Sequence, residues 1–355
     1  MGKLAVYKYV AAMFLMAQII ATVFTIMALF GGSVTPVGNS ARAMLVYLLP
    51  VFIGINVLLL LYWLIRRKWL FGSIAVITLA CCIPYIGTLL QPRTLDKSAD
   101  AQTGLKIATY NVCVFNRETS GFMAQDILAE MRRNKVDVLC MQEYSDVSGD
   151  KRNSESYKDY FPYMAMGMSD MVIYSRYPIK ASKKILFDDT NNSAMWADID
   201  YKGNEVRVFN LHLQTTGLNR SQARANRMQA EYQNLGVSNS HFTKMIFGNY
   251  MLGLMMRAGQ ADIIAQEKRQ SEKPVILCGD FNDVPYSYAY NTVLGNMVDG
   301  FKECGSGWAH TFRGGKKAVR IDYIFHDEAF SGLSYYQSDL TYSDHYPVFM
   351  KLTVK

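Results

Sequence analysis

Three apolar stretches without a single charge fill the first quarter of the chain, and they restrict what it can become. They run over about Val10–Phe30, Met44–Ile65 and Leu70–Leu90, and no Asp or Glu occurs before Asp96. Each is close to the ~20 residues that cross the hydrocarbon core of a bilayer. The first is longer than the apolar core of a cleavable signal peptide, and two more follow it, so removal of the segment is not expected. Three transmembrane helices are therefore expected over residues 1–90.

Charge divides the chain at the same place. Of 37 Lys and Arg, 8 precede residue 101, against 2 of the 30 Asp and Glu; after it stand 29 basic and 28 acidic residues. The basic surplus belongs to the apolar part. A nucleic-acid binder would instead load its soluble domain with positive charge. Lys3 and Lys8 precede the first stretch, Arg42 alone lies in the first loop, and Arg66, Arg67 and Lys68 fill the second. Basic flanks mark the cytoplasmic side. Three crossings then leave everything after Leu90 outside the cytoplasm. The expectation is a multi-pass cell-membrane protein with the bilayer as its partner, and no feature calls for an obligate protein partner. Residues 91–104 read as a short polar linker.

From Leu105 the pattern changes to short β-rich runs separated by helical or polar segments. The expected strands are Lys106–Tyr110, Val136–Met141, Asp170–Ser175, Met195–Asp200, Val206–Leu213, Val275–Cys278, Ile321–Phe325 and Val348–Thr353. Helices are expected at Thr119–Asn134, Ser221–Leu235 and about Ala261–Gln270. Such a mixture over about 250 residues indicates one α/β domain, residues 105–355, with sheets as its core. Of the six cysteines, Cys81 and Cys82 lie in an apolar run. Cys113, Cys140 and Cys278 lie in short apolar runs, and Cys304 is near a loop. Without CxxC or regular spacing they read as free thiols and leave the compartment open.

Polar groups recur at the ends of these strands. Asn111 ends IATYN, Glu143 ends VDVLCMQE, His212 sits in VFNLHL, Asp280 and Asn282 follow VILC in GDFN, Asp322 sits in RIDYIF, and Asp344 and His345 form SDHYPV. One such residue is usually a turn former. Six placements in one domain describe a site, because strand ends and the loops after them are where a rigid scaffold presents reactive groups. Oxygen-rich ligands such as Glu143 and Asp344 suit Mg²⁺ or Mn²⁺ over zinc. Such an ion can polarise a phosphoryl oxygen. The histidines can carry protons or stabilise phosphate charge, and Asp322 can orient one imidazole and favour its charged form. Phosphate-loop, HExxH and GxSxG patterns are lacking.

In order, ATYNV, CMQEY, NLHLQTT, LCGDFNDVP, RIDYIF and YSDHYPV give the stretch from Leu105 onward the look of the endonuclease/exonuclease/phosphatase superfamily. GDFN and SDHYPV are its specific pair. The resemblance implies a two-sheet α/β sandwich with the site at one end. It implies Glu143 as principal metal ligand, with Asn111 beside the metal and Asp344 as a metal-proximal acid. Asp280 and Asn282 would activate and position the attacking water. His345 would contact the scissile phosphate with Asp322 as its partner, and His212 would be the second histidine of deoxyribonucleases and sphingomyelinases. Whether Asp280 or His345 is the general base stays open. Arg176 could face phosphate, and His310 and Thr311 resemble a family loop near the site. Arg313, Lys316, Lys317 and Arg320 form a basic cluster that either meets an anionic substrate or is solvated. His241 and His326 read as surface residues. An apolar run within His241–Gly259 either packs on the core or lies in the interface beside the site. The function implied is Mg²⁺-dependent hydrolysis of a lipid headgroup or other membrane-proximal phosphoester. An anchored nuclease on DNA or RNA and a silent membrane adaptor are the alternatives.

Overall fold

The structure is a computed structural model and describes residues 3–94, 102–114, 122–144, 151–168, 170–215, 239–314 and 319–355. The apolar part folds as helices α1 (Lys3–Leu29), α2 (Ser40–Met44), α3 (Leu49–Ile65), α4 (Trp69–Cys81) and α5 (Ile83–Ile86). Two helical stretches, Val6–Ser33 and Ser40–Ile65, are long and apolar enough to cross a membrane. The third expected span is not one helix. It breaks at Cys82, just before Pro84, and α4 has only 13 residues, about 20 Å at 1.5 Å per residue against a hydrocarbon core of about 30 Å.

The helices nevertheless pack along one another for their whole length. At one end the Arg66 guanidinium lies over the Tyr7 ring and Trp63 meets Phe71. Midway, Gln18 donates to Asn56 at 2.8 Å, Asn56 donates to Thr25 at 2.8 Å, and the hydroxyls of Thr22 and Thr78 lie 3.0 Å apart. At the other end Ala28, Leu49 and Tyr85 form a small core. These side-chain contacts join α1, α3 and α4 across their packed faces. Outward, Met13, Met16, Ile19, Ile20 and Val23 of α1 are each at least half exposed.

After β1 (Leu90–Gln91), the second part begins with β2 (Leu105–Asn111), α6 (Phe122–Arg133), β3 (Val138–Gln142), α7 (Lys151–Tyr160), β4 (Tyr163–Met166), β5 (Met171–Ser175), β6 (Ile179–Leu186), β7 (Ser193–Tyr201) and β8 (Asn204–His212). It continues with α8 (Asn239–Arg269), β9 (Val275–Asp280), α9 (Tyr288–Leu294), β10 (Val298–Asp299), α10 (Gly300–Cys304), β11 (Gly307–Trp308), β12 (Asp322–His326), β13 (Phe330–Gln337) and β14 (Val348–Val354). Among the described residues two six-stranded sheets form, ordered β10-β12-β9-β8-β7-β6 and β13-β14-β2-β3-β5-β4. The sheets face each other across a core that includes Ile107, Val138, Met195, Val208, Ile276 and Met350. Helices α8 and α9 cover the first sheet through Ile264, Ala289 and Val293. Helices α6 and α7 cover the second through Ile127, Met131 and Tyr157. This is the expected α/β sandwich.

All eight expected strands are present. The expected helix Ser221–Leu235 lies outside the described residues, and Ala261–Gln270 belongs to the 31-residue α8. The start of the expected linker is docked to the sandwich. Leu90 and Gln91 pair with Trp308 and Gly307, and Arg93 donates to the carbonyls of Lys302 and Glu303. His326 is not a surface residue: it is fully buried, with Nε2 2.7 Å from Glu303. His241's side chain lies outside the described set. The six cysteines are free, Cys81 being exposed.

Candidate active site

Each sheet holds one parallel pair, and these pairs build the site. β2 runs parallel to β3 with Asn111 opposite Gln142, and β8 runs parallel to β9 with His212 opposite Asp280. Parallel partners end together, so Asn111, Glu143, His212 and Asp280 emerge at one edge of the sandwich. Antiparallel β12 begins there with Asp322 opposite Asp280. Behind the edge a buried polar ladder ties the sheets. Gln142 donates to Thr109 at 3.0 Å and to Asn210 at 2.6 Å, and Asn210 donates to the carbonyls of Met141 and Val172. Gly279 has φ +139°, and a Cβ there would stand 2.1 Å from the Leu211 carbonyl, so GDFN needs its glycine. Glu143 and Asn282 adopt φ values of 49° and 50°, a conformation that non-glycine residues hold only when their surroundings fix it.

The side chains converge. Asn111 Nδ2 donates to Asp280 Oδ2 at 3.0 Å and reaches Glu143 at 3.5 Å, while its Oδ1 accepts from Cys113 N–H. As placed it links two acids across the sheets, and ligating a metal through Oδ1 requires the amide to turn. Asn282 holds the same carboxylate with its N–H at 2.8 Å and donates to the Leu213 carbonyl at 3.0 Å. His345 Nδ1 faces both oxygens of Asp322, at 3.1 and 2.9 Å, leaving Nε2 3.6 Å from Asp280 and 4.0 Å from Asp344. His212 Nδ1 lies 2.8 Å from Asp170. Its Nε2, 3.8 Å from Glu143 and 4.0 Å from Asp280, is buried with no hydrogen-bond partner among the described residues. Asp170 was visible in sequence only as the start of a strand; the acid immediately before MVIYS was its signal.

Electrostatics sort the roles. Burial opposes charge on His345, yet Asp322 and Asp280 outweigh it and raise its pKa to about 10. Burial likewise opposes charge on His212, and its bond to Asp170 with help from Asp280 and Glu143 raises its pKa. Burial pushes the Asp280 carboxyl above its ordinary value, Asp322 adding to the rise and His345 and His212 opposing it. Five carboxylates, Glu143, Asp170, Asp280, Asp322 and Asp344, thus surround two imidazoles that favour the cationic form. The remaining negative surplus suits a divalent cation. Ligand atoms of Asp280, Asp322 and His345 lie within 4.8 Å of one another, a different set from the one expected. Asp322 is already committed to His345. The open acids at the mouth are Glu143 and Asp344, with side chains 25% and 40% exposed.

Two expected contacts, Arg176 and Thr311, fall elsewhere. Arg176 follows β5, whose Ser175 end pairs with Val138, while its Met171 end pairs with Gln142 beside the site. It stands at the far end of the sheet, bonded to Asp137 at 3.1 Å. Thr311 is wholly buried, and its hydroxyl accepts the N–H groups of Ile321 and Asp322, both at 2.9 Å. It sets the start of β12 and has no surface for substrate. His310 packs its ring edge-on against Tyr346, 5.4 Å away. Within the basic cluster, Arg320 is buried against Asp299, 2.5 Å away, Arg313 donates to the Ser343 carbonyl at 3.0 Å, and Lys316 and Lys317 lie outside the described residues.

A family model described as "Endonuclease/Exonuclease/phosphatase family" matches residues 108–345, and one described as a domain of unknown function (DUF8431) matches residues 11–89. Among solved structures, an endonuclease/exonuclease/phosphatase from Bacteroides vulgatus is 18% identical with a TM-score of 0.51, covering 72% of this chain and 100% of its own. One from Beutenbergia cavernae is 19% identical with a TM-score of 0.51, covering 71% of this chain and 72% of its own. These likenesses carry the fold. No curated protein matches the sequence.

Proposed function

The chain belongs to the endonuclease/exonuclease/phosphatase family, and from that premise we propose that it is a membrane-anchored, Mg²⁺-dependent hydrolase of phosphoesters at the bilayer, with a lipid headgroup as the favoured substrate. One observation carries the choice. The apolar helices dock at the same edge of the sandwich as the site. Tyr47 meets Asp283, three residues beyond Asp280, and the Thr88 carbonyl accepts from Arg320, two residues before Asp322. A substrate held in the bilayer is therefore close to the site, and a soluble polymer gains nothing from that placement.

Glu143, with Asp344, would hold the cation, which supplies Lewis-acid polarisation of a phosphoryl oxygen. Asp280, fixed by Asn111 and Asn282, accepts the proton of the attacking water. His345, held charged by Asp322, offers Nε2–H to a phosphoryl oxygen, and His212 offers its unpartnered Nε2 likewise. Such preorganised donors act where charge develops.

The helix packing supports a catalytic domain opposite the N-terminus. Arg66 and Tyr7 mark one end of the bundle, and Tyr85, packed against Tyr286 of the sandwich, marks the other. With the basic flanks inside, that end is extracytoplasmic.

Detergent-solubilised full-length protein with Mg²⁺ should be assayed on sphingomyelin, phosphoinositide, glycerophospholipid and plasmid DNA, with His345→Ala as control. Lipid turnover lost in the control is the expected result. DNA cleavage lost in the control, with lipids untouched, would replace this reading by an anchored nuclease.

A further inference from the structure

We propose that Tyr47, contributed by the apolar helical part, is a positioning residue of the active site. Through Asp283 it completes a buried clamp on the loop that follows Asp280 at the end of β9 and carries Asn282, so the site reaches full turnover only with the helices docked. This rests on the hydrolase reading above.

The Asp283 carboxylate is 2% exposed and sits between two parts of the chain. Its Oδ1 accepts from the Tyr47 hydroxyl at 2.5 Å and from Val284 N–H at 3.0 Å, and its Oδ2 accepts from Arg257 Nε at 3.0 Å. Arg257, fully buried on α8, also donates to the Gln214 carbonyl at 3.0 Å, two residues beyond His212. One carboxylate thus gathers the helical part, the loop after β9 and the segment after β8.

The loop needs outside support. Asn282 and Tyr286 both have positive φ, 50° and 67°, and such residues hold this conformation only where surroundings over-determine it. Asn282 is held within the sandwich by Asp280 and the Leu213 carbonyl, while at Tyr286 part of the support comes from the helical side. Gly32 lies so close that a Cβ on it would stand 1.9 Å from the Tyr286 carbonyl. The Tyr85 ring stacks edge-on against Tyr286 at 5.4 Å. Tyr47 is the contact that reaches a charged group, and hydrogen bonds to charged groups are the stronger kind.

Tyr47→Phe keeps the ring and removes the donor. In the full chain, with bis(p-nitrophenyl) phosphate as soluble probe, kcat should fall roughly tenfold at unchanged KM, the size expected for one charge-assisted bond acting on geometry. Amide exchange over 281–287 should quicken while β2 and β3 keep their protection. Asp283→Asn should lose about as much, and the double variant little more. Wild-type kcat together with wild-type exchange in Tyr47→Phe would overturn the clamp, as would additive losses in the double variant. Should the wild type itself turn over no phosphoester, the hydrolase reading fails, and the exchange comparison still decides the clamp.

Discussion

At the scale of single residues, the polar strand ends were legible because strand periodicity leaves an acid or amide after an apolar run with few places to go. What could not be read was direction. In sequence Arg176 could face phosphate and Thr311 resembles a family loop near the site, yet Arg176 lies at the far end of β5 and Thr311 faces the backbone of β12. Asp170 was missed because an acid opening a strand resembles an ordinary turn residue. Thr311→Val would leave two buried N–H groups unpaired, at about 1–3 kcal/mol each. It should lower the melting temperature and kcat while KM stays unchanged; a raised KM with intact stability would return Thr311 to substrate contact. Asp170→Asn should weaken the charged form of His212 and reduce kcat at least tenfold, measured against a variant of the exposed Asp188 as control.

At the scale of elements, the eight central strands were legible from their apolar runs, whereas β4, β6 and β13 were not. Exposed residues fill β4 and β6, as in IKASKKIL with its run of exposed Lys and Ser, and half-buried small or polar residues open β13 after Phe330. The break between α4 and α5 was hidden because composition alone does not show where Pro84 ends a helix. Gly279→Ala should cost more than about 3 kcal/mol or prevent folding, since backbone stands where its Cβ would go; near-normal stability would contradict the register of β8 on β9. A charged knot ties β7 to β8: Asp198 faces Arg207 at 2.7 Å and Lys273 at 2.6 Å. Burial alone would raise its pKa, but the two cations outweigh that and lower it. A folded pKa below the unfolded one, about 3.9, stabilises fully above that value and is lost as pH falls through the folded pKa. Asp198→Asn should therefore melt below the wild type at pH 7, with the gap closing below about pH 4. A constant gap would mean the carboxylate's charge does not matter.

At the scale of the whole molecule, the two parts were legible separately, from the missing acids before Asp96 and from six motifs in order. Their contact was not. Tyr47 and Asp283 are 236 positions apart, and neither is unusual where it stands. Long-range pairs of this kind carry no local signal, so the sequence suggested a tether where the structure has a docked face. Protease added outside intact cells or spheroplasts should cut the sandwich domain; protection until lysis would reverse the proposed side.

If one acidic, metal-loaded site hydrolyses phosphoesters, turnover of a lipid phosphoester by the full-length protein should follow the metal through EDTA treatment and Mg²⁺ restoration, and should need Glu143. Activity should vanish with EDTA and return with Mg²⁺ in the wild type, and should stay absent in a folded Glu143→Ala variant. Turnover that survives EDTA, or that Glu143→Ala retains, would contradict hydrolysis at such a site.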